Sequence, residues 1–179
     1  NYDIEGTGVD PEIDVRGNFI SIPDGDTSPQ TADNTDFGNQ SVCSGTVVKT
    51  FKIHNTSTSN RTFSAPVLTG DPDFTLTASP TSPVIPGDST TFQVTFDPSA
   101  LGVHTATVTI TNNDCNESTY DFLITGTGVD PEINVRGNFI SIPDGDTSPQ
   151  TSDNTDFGSQ SVCSGTVVKT FKIHNTSTS

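Results

Sequence analysis

The stretch GTGVDPEI at residues 6–13 returns unchanged at residues 126–133, an offset of 120 residues. Extended outward, residues 6–59 match residues 126–179 at 51 of 54 positions. This period is too long for a solenoid repeat, which takes roughly 20–45 residues, and it suits a whole sandwich domain of about 100 residues. The sequence therefore predicts a string of similar domains.

The repeat divides the 179-residue chain into three segments. We predict that residues 1–9 are the last strand of a preceding repeat. Residues 10–129 are predicted to form one complete immunoglobulin-like repeat, and residues 130–179 the first strands of a following repeat. Two or three strands with half a core are marginal by themselves. We therefore expect the natural chain to continue past residue 179, or else another copy to complete the sheet.

Alternation of apolar and polar residues with a period of two predicts the strands of the complete repeat. It is clearest at residues 90–96, 104–110 and 46–55 and around Phe122. Turns rich in Gly, Pro, Asp and Asn separate these runs, and no stretch has a helical period. We therefore predict an all-β fold of tandem immunoglobulin-like β-sandwich domains. Weaker strand candidates lie at residues 13–15, 19–22, 37–42, 62–68 and 74–78.

Five segments of the chain resemble a known family. They are residues 131–135 (PEINV), 153–158 (DNTDFG), 170–176 (TFKIHNT), 89–98 (STTFQVTFDP) and 120–128 (YDFLITGTG). In content and order they resemble bacterial choice-of-anchor D repeats, which are similar to the wider group of ASPM/SPD-2/Hydin-type immunoglobulin-like domains. The resemblance implies a large secreted or surface-anchored bacterial protein, of a kind found in many Bacteroidota, without catalytic residues.

The chain is strongly acidic, with 7 Lys and Arg against 22 Asp and Glu and a formal charge of −15. Phosphate binding needs a basic face, so we predict no nucleic-acid partner. No run of about 18 apolar residues is present, so we predict no membrane span in this segment. The negative charge indicates either a solvated, self-repelling surface or cation binding.

Three cysteines, Cys43, Cys115 and Cys163, are predicted to form disulfide bonds because the chain resembles a secreted protein. Cys163 is the repeat counterpart of Cys43. Cys43 and Cys115 belong to loops expected at opposite ends of a sandwich, about 33 Å apart for a ten-residue strand. A disulfide needs α-carbons within about 7 Å. We therefore favour bonds between adjacent repeats or subunits, with a Cys43–Cys115 bond inside one repeat, or free buried thiols, as alternatives.

One long connection contains the four aspartates Asp24, Asp26, Asp33 and Asp36, which recur 120 residues later. Calcium takes roughly six to eight oxygen ligands, often from Asp and Asn in flexible loops. The four carboxylates are therefore candidate calcium ligands. Alternatively, they only shape the turns by binding their own backbone.

Motifs of catalysis are missing: the sequence has no G-x-S-x-G, P-loop, H-E-x-x-H or C-x-x-C. The three histidines, His54, His104 and His174, are expected to be polar surface residues. We therefore predict that the chain is not an enzyme.

Near-identical repeats favour a structural role, because a repeated surface makes repeated contacts. We expect a structural component of an extracellular bacterial fibre or surface stalk, stiffened by disulfides, whose main partner is itself. The alternative is an adhesin, or a module that binds a glycan or another surface protein through its pole loops. An accessory domain of a secreted hydrolase is a third hypothesis.

Overall fold

The structure, a computed structural model, describes residue 2 and residues 13–115, 117–163 and 165–177. The chain divides into two compact units, Asn1–Val129 and Asp130–Ser179, called unit 1 and unit 2 below. Every regular element in these described ranges is a β-strand. None of the described residues belongs to a helix that is long and apolar enough to cross a membrane.

Unit 1 is a β-sandwich of two sheets. One sheet has the strand order β2-β1-β4-β7-β6 and the other has the order β3-β9-β8-β5. Neighbouring strands are antiparallel except β3 and β9, which run parallel with Ser41 opposite Val129. The strands are β1 (Ile13–Gly17), β2 (Ile20–Ser21), β3 (Asp36–Ser41), β4 (Val47–Asn55), β5 (Val67–Gly70), β6 (Phe74–Ala78), β7 (Ser89–Phe96), β8 (Gly102–Thr111) and β9 (Thr119–Val129).

The core lies between the two sheets and is rich in phenylalanine. Phe51 on β4 stacks on Phe92 on β7, with ring centroids 5.2 Å apart, and lies 5.5 Å from Phe122 on the opposite sheet. At the far end of the core, Phe74 stacks on Phe96 at 4.6 Å. Full burial of each such side chain contributes roughly 1.5–3 kcal/mol, so the alternating apolar residues hold the two sheets together.

The predicted all-β sandwich is confirmed, and the strongly alternating segments are strands β7, β8 and β4. The segment at residues 62–68 is an exception. Its strand begins only at Val67, while Arg61 and Phe63 make isolated bridges. Pro66 lacks a backbone N–H and cannot donate to a ladder, so continuous pairing is interrupted there.

The sandwich has two ends, called the N pole and the C pole here. At the N pole β1 begins with Ile13, which is opposite Asn55 at the end of β4. At the C pole β9 ends with Val129, and Gly102 begins β8 opposite Gly128. Functional loops of sandwiches cluster at such ends.

Unit 2 consists of strands β10 (Ile133–Gly137), β11 (Ile140–Ile142) and β12 (Phe171–Asn175) in the order β11-β10-β12. Ile133 lies opposite Asn175, which is the same register as Ile13 and Asn55 in unit 1. The apolar residues of unit 2 are less buried than those of unit 1. Ile173 is 69% exposed, whereas its counterpart Ile53 is fully buried. No second sheet covers this face within the described part of unit 2.

Candidate functional sites at the two poles

The four candidate calcium ligands each bind nearby backbone. Asp24 Oδ1 accepts a hydrogen bond from the N–H of Asp121 at 2.8 Å, and Asp26 Oδ1 accepts from Ser28 at 2.9 Å. Asp33 Oδ1 accepts from the N–H and hydroxyl of Thr35 at 3.0 and 2.5 Å. Asp36 Oδ1 accepts from Gly38 N–H at 2.8 Å.

These contacts match the turn-forming alternative. In the described residues the carboxylates of Asp24, Asp26, Asp33 and Asp36 do not form a group that could surround one ion. The calcium site expected from their spacing is therefore not assembled in this structure. The physical reason is that Asp26, Asp33 and Asp36 each bind the N–H two residues ahead and are directed towards their own turns. Asp24 is directed instead towards Asp121, which is 97 residues away in the sequence.

The cysteines lie at opposite poles of unit 1. Val42, next to Cys43, donates its N–H to the carbonyl of Val129 at the C pole, whereas Cys115 is in the β8–β9 loop at the N pole. The eleven residues of β9 separate the two poles, which corresponds to about 36 Å. All three cysteines of the chain belong to the described residues, are exposed, and are not joined by any disulfide bond. A bond between repeats or subunits stays a prediction.

A buried ion pair holds the loops of the N pole together. The Arg61 guanidinium donates to Asp114 Oδ2 at 3.0 Å and to Asn112 Oδ1 at 2.9 Å, and the side chains of Arg61 and Asp114 have no exposed surface. The backbones of Arg61 and Val84 exchange two hydrogen bonds, at 2.9 and 2.8 Å. Asn55 Nδ2 also donates to the Val84 carbonyl at 2.9 Å. Three connections of the sandwich therefore meet at one polar cluster.

Sequence reasoning missed the role of Arg61, although a signal was present. Arg61 is the only Lys or Arg between Lys52 and Arg136, in a chain with a net charge of −15. A single arginine in an acidic segment predicts a specific partner. That partner is 53 residues away in the sequence, so no local pattern identifies it.

A second polar cluster lies at the C pole around His104. Its Nδ1 is 2.6 Å from Asp71 Oδ2 and 3.2 Å from Asp73 Oδ2. Its Nε2 is 2.9 Å from the carbonyl of Ala100. Asp73 Oδ2 also accepts from the N–H and hydroxyl of Ser99, at 2.7 and 3.0 Å.

The prediction that His104 is a surface residue is wrong, since it is only 7% exposed. With a period of two, His104 shares the inward face of β8 with Ala106 and Val108. Burial of the ring is compatible with its polarity because both ring nitrogens meet oxygen acceptors.

The cluster shifts the acid–base equilibria of its members. Burial by itself would lower the pKa of His104, but the Ala100 carbonyl and the Asp71 and Asp73 carboxylates outweigh burial and raise the pKa above 6.5. The N–H of Asp73, together with His104, lowers the pKa of Asp71 below 3.8 despite desolvation. A group with a raised pKa, here His104, contributes its full stabilisation at pH values below 6.5. A group with a lowered pKa, here Asp71, contributes its full stabilisation at pH values above 3.8. Both groups therefore stabilise the fold fully between pH 3.8 and 6.5.

Asp71, Asp73 and His104 are the group of potential metal ligands that the described residues bring together, with ligand atoms within 4.8 Å of one another. One histidine nitrogen and two carboxylates are a donor set that transition metals accept. In this structure, however, a protonated His104 donates its Nδ1–H to Asp71 Oδ2 and its Nε2–H to the Ala100 carbonyl, and its positive charge also faces Asp73 Oδ2. The arrangement is therefore complete as a hydrogen-bonded ion cluster.

Comparison with known proteins gives one family match. The family model described as HYDIN/CFA65/VesB-like, Ig-like domain matches residues 30–127, most of unit 1. No curated protein sequence matches the chain.

Similar solved structures resemble the chain at low sequence identity. A protein of unknown function from Porphyromonas gingivalis W83 is 15% identical with a TM-score of 0.49, covering 65% of this chain and 46% of that one. PapD-like domain 7 of human CEP192 is 14% identical with a TM-score of 0.42, covering 74% and 96%. The VesB protease of Vibrio cholerae is 11% identical with a TM-score of 0.41, covering 65% and 31%. This chain thus spans less than half of the P. gingivalis protein.

Proposed function

Because the chain belongs to the family of HYDIN/CFA65/VesB-like Ig-like domains, we propose that it is a structural module of an extracellular bacterial fibre or surface stalk. Within that family, its segments resemble choice-of-anchor D repeats of secreted or surface-anchored proteins. Its principal partner is another copy of the same module. The module has no catalytic activity of its own.

The observation that carries the proposal is the near-identity of the repeat. Residues 6–59 and 126–179 share 51 of 54 residues, and strands β1 and β4 of unit 1 pair in the same register as β10 and β12 of unit 2. A specialised binding domain normally differs from its neighbours, whereas a spacer gains uniform length from identical copies. Non-closing contacts between identical surfaces produce filaments.

The internal construction of the poles supports a mechanical role. The Arg61–Asp114 pair fastens the loops of the N pole, and the His104 cluster fastens those of the C pole. Pole loops are commonly the mobile parts of a sandwich. Here buried charged hydrogen bonds hold them, which suits a module that transmits force from one end to the other.

Disulfide bonds between successive modules would stiffen the fibre. Cys43 is at the C pole, where the chain leaves unit 1, and Cys115 is at the N pole. Head-to-tail stacking brings a C pole next to an N pole, so a bond would join Cys43 of one module to the Cys115 position of another. Each bond forms when two thiols lose two protons and transfer two electrons to an oxidant, such as a disulfide of an extracellular oxidoreductase.

Electron microscopy of the native extracellular material, prepared without reductant, tests the proposal. We expect long uniform fibres with an axial repeat of roughly 35–45 Å, the length of one module. Addition of reductant is then expected to make the fibres more flexible without dissociating them into separate modules. Separate flexible strings, or a short stalk ending in an unlike head, would refute the fibre and favour an adhesin that binds a glycan or protein.

A further inference from the structure

A groove lies on the outer face of the β2-β1-β4-β7-β6 sheet in unit 1. Its volume is about 310 Å³, which is at the lower end of the range for small-molecule sites. The buried ring of Phe51, the two cationic side chains and the tip of the β1–β2 hairpin line it. The residues that define it are Arg16, Asn18, Phe19, Asn34, Lys52 and Thr91.

One wall of the groove is a loop held tightly against the β1–β2 hairpin. A Cβ at Gly17 would lie 1.6 Å from the carbonyl oxygen of Asp33, so only glycine allows this approach. Asn18 Nδ2 donates to the Ala32 carbonyl at 3.1 Å, and Asn34 Nδ2 donates to the Thr50 carbonyl at 3.3 Å. The groove is therefore preformed.

The hairpin tip presents an aromatic ring to solvent. Asn18 and Phe19 have φ angles of 46° and 68°, in the left-handed region, and Phe19 is 89% exposed. Positive φ is unfavourable for a bulky residue, and an exposed phenylalanine gains nothing from burial. The fold therefore maintains an unfavourable conformation that displays a flat apolar surface beside the groove.

The groove is also the cationic part of an acidic molecule. Arg16 lies directly opposite Lys52 in the sheet, and Lys52 lies opposite Thr91. Like charges at directly opposite positions destabilise a sheet. Of the other two Lys and Arg residues of unit 1, Arg61 is fully buried in its ion pair and Lys49 is half-buried on β4. Asp14 pairs with Arg16 on one side, and an anion between Arg16 and Lys52 would relieve the remaining repulsion.

Unit 2 has the same groove with one informative difference. Its groove, of about 350 Å³, is formed by Arg136, Phe139 and Lys172 among others, and Phe139 is 92% exposed. In unit 1, Asp14 Oδ2 binds Arg16 Nε at 2.5 Å. In unit 2 asparagine replaces this aspartate, and Arg136 Nε is buried without a hydrogen-bond partner among the described residues.

We propose that each groove binds one acidic sugar unit of an anionic polysaccharide. The sugar ring packs on Phe19, its carboxylate binds between Arg16 and Lys52, and its hydroxyls bind the Asn18 and Asn34 side chains. Arg136 provides an unoccupied donor for such a carboxylate in unit 2. Repetition of the groove every 120 residues matches the repetitive chain of a polysaccharide and allows multivalent binding.

The size and charge of the groove favour a sugar over a second copy of this chain. A stable protein contact needs about 800 Å² from each partner, whereas this groove accommodates one ring. An acidic sugar brings one carboxylate per ring. The inference does not depend on fibre assembly, so either proposal can fail alone.

Isothermal titration calorimetry of the whole 179-residue chain with tetragalacturonate tests the proposal. The matched ligand is the same oligosaccharide with its carboxyl groups reduced to alcohols. We expect the charged ligand to bind, and the reduced ligand to bind roughly tenfold more weakly or not at all, because a charged hydrogen bond is lost. Phe19→Ala combined with Phe139→Ala should weaken binding at least tenfold. Leu101→Ala, at an exposed site on the C pole, should leave it unchanged.

The difference between the units supplies a gain-of-function control. Asp14→Asn removes the internal competitor of Arg16 and should strengthen binding by roughly three- to tenfold, whereas Asn134→Asp should weaken it. The proposal is overturned if the charged ligand does not bind, or if it binds the double phenylalanine variant as well as the parent chain. Sedimentation at several protein concentrations supplies a further test. If the parent chain self-associates and the double phenylalanine variant does not, the groove is occupied by a second copy and the proposal is overturned.

Discussion

Replacement of Arg61 by methionine tests whether the buried ion pair organises the N pole. Methionine keeps an unbranched apolar stem but lacks the guanidinium, so both of its contacts are lost, to Asp114 at 3.0 Å and to Asn112 at 2.9 Å. Neither Arg61 nor Asp114 is exposed, so water cannot replace the missing partner. The Asp114 carboxylate then remains buried without its counter-ion.

The expected loss is about 3–5 kcal/mol, the usual cost of breaking a buried pair by removing one partner. For a domain of this size that corresponds to a fall of roughly 12–20 °C in Tm, at about 4 °C per kcal/mol. Arg16→Met is the matched control, because Arg16 forms its ion pair with Asp14 at a site where its side chain is 41% exposed. An exposed pair contributes at most about 1 kcal/mol, so the control should change little.

Urea unfolding of the whole chain, followed by near-UV circular dichroism, measures the effect. The chain has two tyrosines, and only Tyr120 is buried, where its hydroxyl donates to the Ile22 carbonyl; Tyr2 is 97% exposed. The signal therefore reports the core of unit 1. A double-mutant cycle with Asp114→Asn should give a coupling energy above about 1 kcal/mol. Strictly additive single losses would refute the idea that charge pairing organises this pole.

Further predictions concern the rest of unit 1. The Tm should fall as the pH rises from 6.5 through the raised pKa of His104, since the protonated form stabilises the fold. In thermal melts, His104→Gln should abolish this pH dependence. If the Tm of the variant depends on pH as that of the parent does, His104 is not the group responsible. Gly126→Ala should lower the free energy of unfolding by about 1–3 kcal/mol through overpacking, because the added Cβ would lie 2.5 Å from the Phe96 ring. An unaltered urea midpoint would show instead that the ring moves freely. Mild oxidation should give intermolecular disulfides only, and peptide mapping that finds Cys43 joined to Cys115 within one monomer would disprove the separation of the poles.

The sequence could predict the architecture because the relevant signals are local. Alternation at residues 90–96 predicts a strand whose Phe92, Val94 and Phe96 point inward, and these three are fully buried. Turn residues separate the strands, and the repeat indicates the domain length. The expected pole separation of Cys43 and Cys115 follows from strand order alone, and the positions of their loops in unit 1 agree with it.

By itself, the sequence determined the all-β sandwich, the repeat and the acidic character of this protein. Tertiary structure alone decided which polar side chains meet. Arg61 finds Asp114 and His104 finds Asp71 across separations of 53 and 33 residues, because strand order brings distant loops to the same pole. Calcium binding by the four aspartates that are close in sequence stays a prediction. In this structure Asp24 binds the distant Asp121. The four do not converge, because Asp26, Asp33 and Asp36 bind the backbone of their own turns.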